Sequence, residues 1–268
     1  MRARDLQAYF RSLNGGWVDV EHTVDTFKSG DPETEITGIA VSWMSTRRAL
    51  ERALKMGCNV FVTHEPTYYN HHDDPESPLF GLEGVREKRA FVEESGIVIL
   101  RCHDLWDQMP DIGIPDAWGL ALGLENPVGG EGYFRVYDVS GRTAGEVARE
   151  VAARTKVLRQ DGVQLIGDPR LPVSRVAIGT GAITPLFEYI RRYAEDPGLD
   201  LAICTDDGFT YWQHGAYALD TGLPVIIVNH ATSEEPGMRA LAMHLHAQFP
   251  DVPVRFIPRG CMYSIVRE

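Results

Sequence analysis

The sequence predicts an α/β fold with a largely parallel sheet core that is flanked by helices and carries a small inserted α+β lobe. Short apolar runs alternate along the chain with segments of helical period, a pattern typical of alternating strands and helices. Because strands separated by helices need crossover connections, we expect most strand pairs to be parallel. A turn-rich stretch at 126–132 precedes a strand–helix–strand segment, which we interpret as the inserted lobe.

The first part of the chain alternates between helical and strand-like patterns. Leu6, Phe10 and Leu13 recur at helical spacing, and two glycines follow them. Ser45 is expected to cap the next helix, which Gly57 ends. The predicted elements are a helix near 3–13, a strand at 36–43, the helix after Ser45, a strand at 59–63, a helix near 83–95, a strand at 97–100 and a short helix at 118–124.

The second part continues the alternation. Thr143 and Glu146 have the spacing of a capping box, which predicts a helix at 144–155 between two strands. The later elements are strands at 176–178, 201–203 and 225–228, helices at 186–190, 212–221 and 234–249, and short strands at 254–256 and 263–265. These boundaries divide the chain into a first core half at 1–123, the inserted lobe at 124–173 and a second core half at 174–268.

Charge and composition exclude several classes of protein. The 268 residues include 26 Lys plus Arg and 38 Asp plus Glu, so the formal net charge is −12, which opposes binding to nucleic acid or to acidic membranes. No run reaches the roughly 18 apolar residues that span a bilayer, and the charged start lacks a signal peptide's apolar stretch. We therefore expect a cytoplasmic protein in which Cys58, Cys102 and Cys204 are buried, reduced thiols.

Side chains with metal-binding donor atoms follow three of the predicted strands. They are His64 and Glu65, then His103, Asp104 and Asp107, then His230 and Glu234. Functional groups gather beyond the carboxyl ends of parallel strands, so these imidazoles and carboxylates converge if the strands are neighbours. Imidazole favours zinc, iron, nickel or copper, and carboxylate also accepts manganese and magnesium. Two ions roughly 3.5–4 Å apart can activate one water molecule.

Simpler interpretations of the same residues stay open. A histidine at a strand end can be an ordinary loop residue, and His230 with Glu234 has the spacing of a helix pair or cap. The segment 71–74, with sequence His-His-Asp-Asp, reads as a solvated acidic loop, as extra ligands or as a metal-loading loop. The segment 179–182 reads as a tight packing turn or as a phosphate-binding turn before a helix.

At these residues the chain resembles the dinuclear-metal-centre proteins named after the yeast NGG-one-interacting factor three, often called GTP cyclohydrolase I type two. The resemblance covers most of the chain outside the inserted lobe. Its motifs are Gly-Cys-Asn-Val-Phe-Val-Thr-His-Glu-Pro at 57–66, His-Asp-Leu-Trp-Asp at 103–107, Gly-Thr-Gly-Ala at 179–182 and His-Ala-Thr-Ser-Glu-Glu-Pro-Gly at 230–237. The first and last motifs are the more specific.

The resemblance implies a ligand set for two divalent ions per chain, and it does not distinguish zinc, iron, manganese and nickel. The implied ligands are His64, Glu65, Asp107, His230 and Glu234. Glu65 stands where the family usually has a second histidine, so it either binds as a harder ligand or leaves one metal position weak. His103 and His214 are expected to support the ligands from outside. The family also implies two related core halves and a homohexamer built from trimers.

Two functions follow from these expectations. The first is a metal-dependent hydrolase that activates water against a small molecule, such as the nucleotide GTP or a phosphoester, with Glu65 or Glu234 as a base. Catalytic residues are otherwise unassigned. The alternative is a metal-binding interaction or regulatory protein without turnover.

Overall fold

The structure is a computed structural model, which describes residues 1–182 and 185–266. These residues form two compact units. The first unit comprises Met1–Met109 and Met238–Arg259, and the second comprises Pro110–Gly237 and the segment from Gly260 onward. Each unit contains a five-stranded sheet with helices. The predicted α/β fold class is therefore confirmed.

Strands and helices alternate along much of the chain. The strands are β1 (Phe27–Ser29), β2 (Ile39–Met44), β3 (Val60–Glu65), β4 (Val98–Arg101), β5 (Phe134–Thr143), β6 (Gln164–Ile166), β7 (Pro172–Gly179), β8 (Leu201–Thr205), β9 (Val225–Val228) and β10 (Val254–Phe256). The helices are α1 (Ala3–Leu13), α2 (Arg47–Lys55), α3 (Glu83–Ser95), α4 (Asp104–Gln108), α5 (Ile114–Ala121), α6 (Ala144–Lys156), α7 (Leu186–Tyr193), α8 (Ala216–Thr221) and α9 (His230–Gln248).

The sheet of the first unit has the strand order β1–β4–β3–β2–β10. Its pairs are parallel except for the edge pair of β1 with β4. Strands β3 and β4 each begin with an apolar run and are buried almost throughout, as expected for the interior of a parallel sheet. One face of the sheet packs against α2 and α3 through Leu50, Phe61 and Val92. The parallel core places the carboxyl ends of β2, β3 and β4 at one edge.

The sheet of the second unit has the strand order β5–β7–β8–β9–β6, with a parallel centre and antiparallel edges. Both of its faces are covered. Helices α5 and α6 cover one face through Trp118 and Val147. Helix α7 covers the other face through Leu186 and Tyr189, and Ala218 of α8 packs there too. The centre of this sheet is therefore shielded from water.

The segment predicted as an inserted lobe, 124–173, contains the expected strand, helix and strand. Its capping box is present, since Thr143 Oγ1 accepts from the Glu146 backbone and the Glu146 carboxylate accepts from the Thr143 backbone. Strands β5 and β6 pair with β7 and β9, so they form the two edges of the second sheet. The compact units divide the chain after Met109 and within α9. The division into two core halves and an inserted lobe stays a prediction.

Two helices begin at residues other than the predicted ones, for reasons outside their own sequence. Thr46, not Ser45, caps α2, because Ser45 Oγ lies 3.0 Å from Thr67 Oγ1 in a buried hydrogen bond. Helix α9 begins at His230, four residues before the predicted start. The backbone N–H of His230 donates to Asp206 Oδ1 at 2.9 Å, so a carboxylate from the end of β8 satisfies the first turn.

Several short elements differ from the predictions. Strand β1 and helix α4, which have three and five residues, were not predicted from the sequence. Helix α5 begins four residues early, with a proline in its first turn. The strand predicted at 263–265 is wrong, because these residues are exposed and irregular. Helix 212–221 is realised as a π-helical turn, Tyr211–Gly215, followed by α8.

The thiols predicted to be buried and unpaired are so. Cys58, Cys102 and Cys204 are buried free cysteines, and Cys261 is partly exposed. Burial raises the pKa of Cys204 to about 12, which keeps this thiol protonated and unreactive at neutral pH. Across residues 1–182 and 185–266, no helix combines the length and the apolar character that crossing a membrane requires.

Lys88 of α3 is an unusual core residue, because only 2% of it is exposed. Its ammonium group donates to the carbonyl oxygen of Thr67 and lies 4.6 Å from the centre of the Tyr69 ring. Burial lowers the pKa of Lys88 to about 8, although the charge of Asp73 raises it. This lysine joins α3 to the loop that follows β3.

We expect the charge of Lys88 to make stability depend on alkaline pH. The pKa of Lys88 is lower in the folded chain than in the unfolded chain, so between pH 8 and pH 10.5 the unfolded chain binds more protons. The free energy of unfolding should therefore rise with pH in that window, relative to Lys88→Met, by up to about 3 kcal/mol. Urea unfolding at several pH values measures this difference. Lys55→Met, at an exposed lysine of α2, is the control, and an equal pH dependence in both variants contradicts the prediction.

Candidate metal centre

The parallel pairing of β3 with β4 assembles what we call the amino-terminal cluster: His64, Glu65, His103 and Asp107. Thr63 lies opposite Arg101 in the register, so the residues that follow both positions emerge at the same edge of the sheet. The imidazole rings of His64 and His103 stack with their centres 4.5 Å apart. One donor atom from each of His64, Glu65 and His103 lies within 4.8 Å of the others. His103, which was expected only to support the ligands, therefore belongs to the group of potential ligands itself.

His64 is held in one tautomer. Its ring is completely buried, and Nδ1 lies 3.2 Å from the carbonyl oxygen of Cys102, which can only accept a hydrogen bond. The proton of the neutral ring is therefore on Nδ1, and the lone pair is on Nε2. Nε2 lies 3.4 Å from Oδ1 of Asp107. A backbone carbonyl that fixes the outer nitrogen is typical of metal-binding histidines.

Helix α4 presents the other two members of the cluster. His103 precedes the helix and Asp107 lies four residues later, so the two side chains share one face. His103 Nδ1 lies 2.8 Å from Oδ1 of Asp104 and 3.4 Å from Oδ2 of Asp107. Burial alone raises the pKa of Asp104, but hydrogen bonds from His103 and Thr23 outweigh it and hold that pKa well below its usual range. The imidazole of His103 thus lies among carboxylate oxygens.

Asp25 holds the start of α4 in place, although it lies far away in sequence. Its Oδ1 accepts hydrogen bonds from the backbone N–H groups of His103 at 2.6 Å and Asp104 at 3.1 Å, and its Oδ2 accepts from Leu105 at 2.9 Å. Burial raises the pKa of Asp25, and these hydrogen bonds lower it in part. Asp25 therefore serves as the cap that a five-residue helix lacks in its own sequence.

Arg101, the last residue of β4, connects the cluster to the loop after β3. Its guanidinium is completely buried, and Nε donates to the carbonyl oxygen of His64 at 2.8 Å. Nη1 donates to the carbonyl oxygen of His71, and Nη2 lies 3.9 Å from Oε2 of Glu65. Burial lowers the pKa of Arg101, while the carboxylate of Glu65 raises it. One buried cation thus fixes the backbone of His64 and offsets part of the charge of Glu65.

The carboxyl-terminal cluster, which we define as Asp207, His230 and Glu234, lies on the second unit. Nδ1 of His230 lies 3.0 Å from Oδ2 of Asp207, and Nε2 lies 2.9 Å from Oε1 of Glu234. Side-chain hydrogen bonding from His230 lowers the pKa of Asp207. His230 therefore repeats the arrangement of His64: one ring nitrogen lies against an oxygen acceptor and the other faces a carboxylate.

The loop after β7 lies close to this cluster. Gly181 has a φ of +73°, a conformation that glycine adopts readily. A β-carbon at this position would lie 3.5 Å from Oε1 of Glu234 and 3.9 Å from Nε2 of His230. Thr205 Oγ1 donates to the carbonyl of Gly181 at 2.8 Å and so ties the loop to the end of β8. The glycine thus keeps the loop beside the imidazole without a side chain.

The ligands predicted from sequence therefore fall into two groups, one on each unit. His64, Glu65 and Asp107 belong to the amino-terminal cluster, and His230 and Glu234 belong to the carboxyl-terminal cluster. The expectation that all five share one centre stays a prediction. His214 is buried, its Nδ1 accepts from the Thr210 backbone at 2.9 Å, and its ring packs on Phe187. These contacts give His214 a packing role, and its support of a ligand stays a prediction.

Three residues that shape the clusters were not predicted from the sequence. Asp25 and Arg101 lie outside the motifs, and nothing in their local sequence points to α4 or to the loop after β3. Asp207 belongs to a Thr-Asp-Asp sequence at 205–207, directly after the apolar run of a predicted strand. A carboxylate directly after a predicted strand can be expected to contact a histidine at the end of a neighbouring strand, so this contact was predictable from the sequence.

The donor set suits a divalent transition-metal ion. Both clusters combine imidazole nitrogen with carboxylate oxygen, the ligands that zinc, iron, nickel and manganese accept. In both, the nitrogen that faces the carboxylate belongs to an imidazole whose other nitrogen lies against an oxygen acceptor. Three carboxylates, on Glu65, Asp107 and Glu234, bring negative charge to largely buried positions, which bound cations would offset.

Comparison with known proteins shows which family this chain matches. The sequence profile described as Duf34/NIF3 (NGG1p interacting factor 3) matches residues 24–260. The chain is 25% identical over 178 residues to a Streptomyces coelicolor protein named GTP cyclohydrolase 1 type 2 homolog, and this match covers 62% of the chain and 60% of that protein. A Chlamydia pneumoniae protein of the same name is 22% identical, over 93% of this chain and 95% of its own length.

A solved structure shows that the fold is shared. The structure described as a Bacillus cereus protein related to NIF3 superposes with a TM-score of 0.79 and 14% sequence identity, and the match covers 99% of each chain. At this identity the similarity shows the fold alone.

We expect loss of the Asp25 carboxylate to destabilise the fold through α4. Asp25→Ala leaves three backbone donors without this acceptor and should lower the free energy of unfolding by about 2 kcal/mol. Asp25→Asn keeps one acceptor oxygen and should cost about half as much. Urea unfolding followed by tryptophan fluorescence measures both. Asp19→Ala, at an exposed carboxylate of the same segment, is the control. Equal stability of the two alanine variants would contradict the capping role.

Proposed function

Because the chain belongs to the Duf34/NIF3 family, we propose that it is a metal-dependent hydrolase-like protein that acts on a small molecule. One observation carries the proposal: His64 and His230, on different units, have the same arrangement of a fixed ring nitrogen and a facing carboxylate. A single histidine–carboxylate pair is common in proteins. Its repetition on two similar sheets, each at the carboxyl end of a buried strand, favours a binding role for both.

We propose His64, Glu65, His103, Asp107, His230 and Glu234 as the residues that hold divalent ions, two per chain. The number of ions rests on the family resemblance. When bound, such ions supply Lewis acidity and lower the pKa of water, which is the chemistry that hydrolysis needs. The three carboxylates supply three negative charges, and two divalent cations would more than offset them.

Glu65 is the residue best placed to accept a proton from an attacking water molecule. The side chain of Glu65 is 14% exposed, whereas those of Asp107 and Glu234 are 5% and 2% exposed. A carboxylate that water reaches can exchange its proton with solvent between turnovers. Arg101, beside Glu65, stabilises the carboxylate in its charged form and so keeps it available as a base.

The substrate that we propose to test first is GTP. Two curated relatives carry the name GTP cyclohydrolase 1 type 2 homolog, and this shared name supports a nucleotide whose ring is opened by water. A phosphoester is the second substrate class, because paired divalent ions also stabilise phosphoryl transfer to water. We further propose, from the family resemblance, that the chain works as a homohexamer.

We expect substitutions in either cluster to weaken metal binding without unfolding the sheets. His64→Ala and Glu234→Ala each remove a proposed ligand and should lower the affinity for Zn²⁺ or Co²⁺ by at least about 100-fold. Competition with a chromophoric chelator measures the affinity, and circular dichroism checks the fold. His246→Ala, at an exposed histidine of α9, is the control. Full metal affinity in either cluster variant would show that its residue is not a ligand.

We expect the metal-loaded protein to consume GTP. Opening of the purine ring by one water molecule leaves a formamide, which a second water molecule hydrolyses to release formate. Attack on the phosphate chain releases phosphate, so assays of both products identify the bond that water attacks. Glu65→Gln keeps a side-chain oxygen that can bind metal but cannot take up a proton at this position, so it should lower the rate by about 100-fold while metal remains bound. Stable metal binding with neither product would support the alternative, a metal-binding interaction or regulatory protein.

A further inference from the structure

Four imidazole rings of the first unit follow one another from the solvent-exposed surface to the buried cluster. We call His72, His71, His103 and His64, in that order, the imidazole row. The ring centres of His72 and His71 are 4.9 Å apart, those of His71 and His103 are 5.4 Å apart, and those of His103 and His64 are 4.5 Å apart. His72 and His71 are exposed, His103 is 15% exposed and His64 is completely buried. Each ring therefore has its next neighbour within direct contact.

The loop that carries the two outer histidines is held by buried groups. Arg101 donates through Nη1 to the carbonyl oxygen of His71 and through Nε to that of His64. The same guanidinium thus fixes the backbone of an outer and an inner member of the row. At the base of the loop, Asp73 accepts from the backbone N–H groups of Thr67 at 3.0 Å and Tyr68 at 2.6 Å.

The spacing of the rings fits the transfer of an ion from one ring to the next. Two imidazoles that share a tetrahedral zinc ion, with zinc–nitrogen bonds of about 2.0–2.1 Å, have ring centres about 5 Å apart. The three spacings in the row lie near that value. Adjacent rings of the row therefore lie at the separation that a shared ion requires, once their nitrogens turn toward it.

We propose that His71 and His72 form an outer metal-capture site, which takes divalent transition-metal ions from solvent and passes them along the imidazole row to the buried cluster. The ions that suit this site are those that favour imidazole nitrogen, such as zinc, nickel, cobalt and copper. The outer pair offers two neutral imidazoles, whereas the buried cluster adds negatively charged carboxylates and so binds a divalent ion more tightly. An ion captured outside therefore moves toward the buried cluster. The proposal deepens the proposed function and rests on metal binding by the buried cluster.

The rate of metal loading tests the proposal. Full-length protein that has been stripped with a chelator is mixed with Co²⁺, and the visible absorbance of bound Co²⁺ is followed by stopped flow. The double variant His71→Ala/His72→Ala should load about tenfold more slowly, because capture near the site raises the effective ion concentration. Its final Co²⁺ content should equal that of the wild type, since the buried ligands and the carbonyl of His71 remain. His246→Ala should load at the wild-type rate.

A second measurement tests the outer pair alone. In the His64→Ala variant, Cu²⁺ below one equivalent should broaden the ring proton NMR signals of His71 and His72 before those of the exposed His22 and His246. Unchanged loading in the double variant, or equal broadening of all four histidines, would overturn the proposal. Failure of the proposed function gives different results in the wild-type protein, which would then retain no Co²⁺ at equilibrium or would bind Co²⁺ and release neither formate nor phosphate from GTP.

Discussion

The parallel register of β3 with β4 is the constraint on which the amino-terminal cluster depends. With Thr63 opposite Arg101, His64 and the chain after β4 must emerge at the same sheet edge. The turn into α4 then carries His103 and, one helical turn later, Asp107 to the ring of His64. A shift of one residue in β3 would turn His64 to the opposite face of the sheet and separate the donors.

Charged side chains at the carboxyl ends of β3 and β4 orient the metal-binding groups. The buried guanidinium of Arg101 lies beside the carboxylate of Glu65. Its Nε and Nη1 donate hydrogen bonds to the carbonyl oxygens of His64 and His71. Asp25 binds three backbone N–H groups at the start of α4, where negative charge favours the helix dipole. These charged side chains and the backbone groups that they bind thus orient the metal-binding side chains before a metal ion arrives, which lowers the free-energy cost of binding it. Within the amino-terminal cluster, the carboxylate of Glu65 interacts both with the Arg101 guanidinium and, in our proposal, with a bound metal ion.

The sequence predicted the fold class, most strands and the strand-end residues because these follow from local pattern. Apolar runs identify buried strands, and polar residues directly after them identify the functional edge. What it missed depends on contacts distant in sequence. Three such contacts cannot be predicted from local sequence. Asp25 caps α4, Asp206 accepts a hydrogen bond at the start of α9, and Ser45 forms a hydrogen bond with Thr67. The place of His103 within the donor group likewise follows from strand pairing and not from its motif.

Metal content is the most direct test of the central claim that these residues bind divalent ions. Gently purified protein would be analysed by elemental mass spectrometry, with chelator-treated protein and the His64→Ala variant as controls. The account predicts about two equivalents of a transition metal per chain, removable by chelator and absent or halved in the variant. Protein that contains no metal, and that cannot be loaded with Zn²⁺, Co²⁺, Mn²⁺ or Ni²⁺, would contradict it.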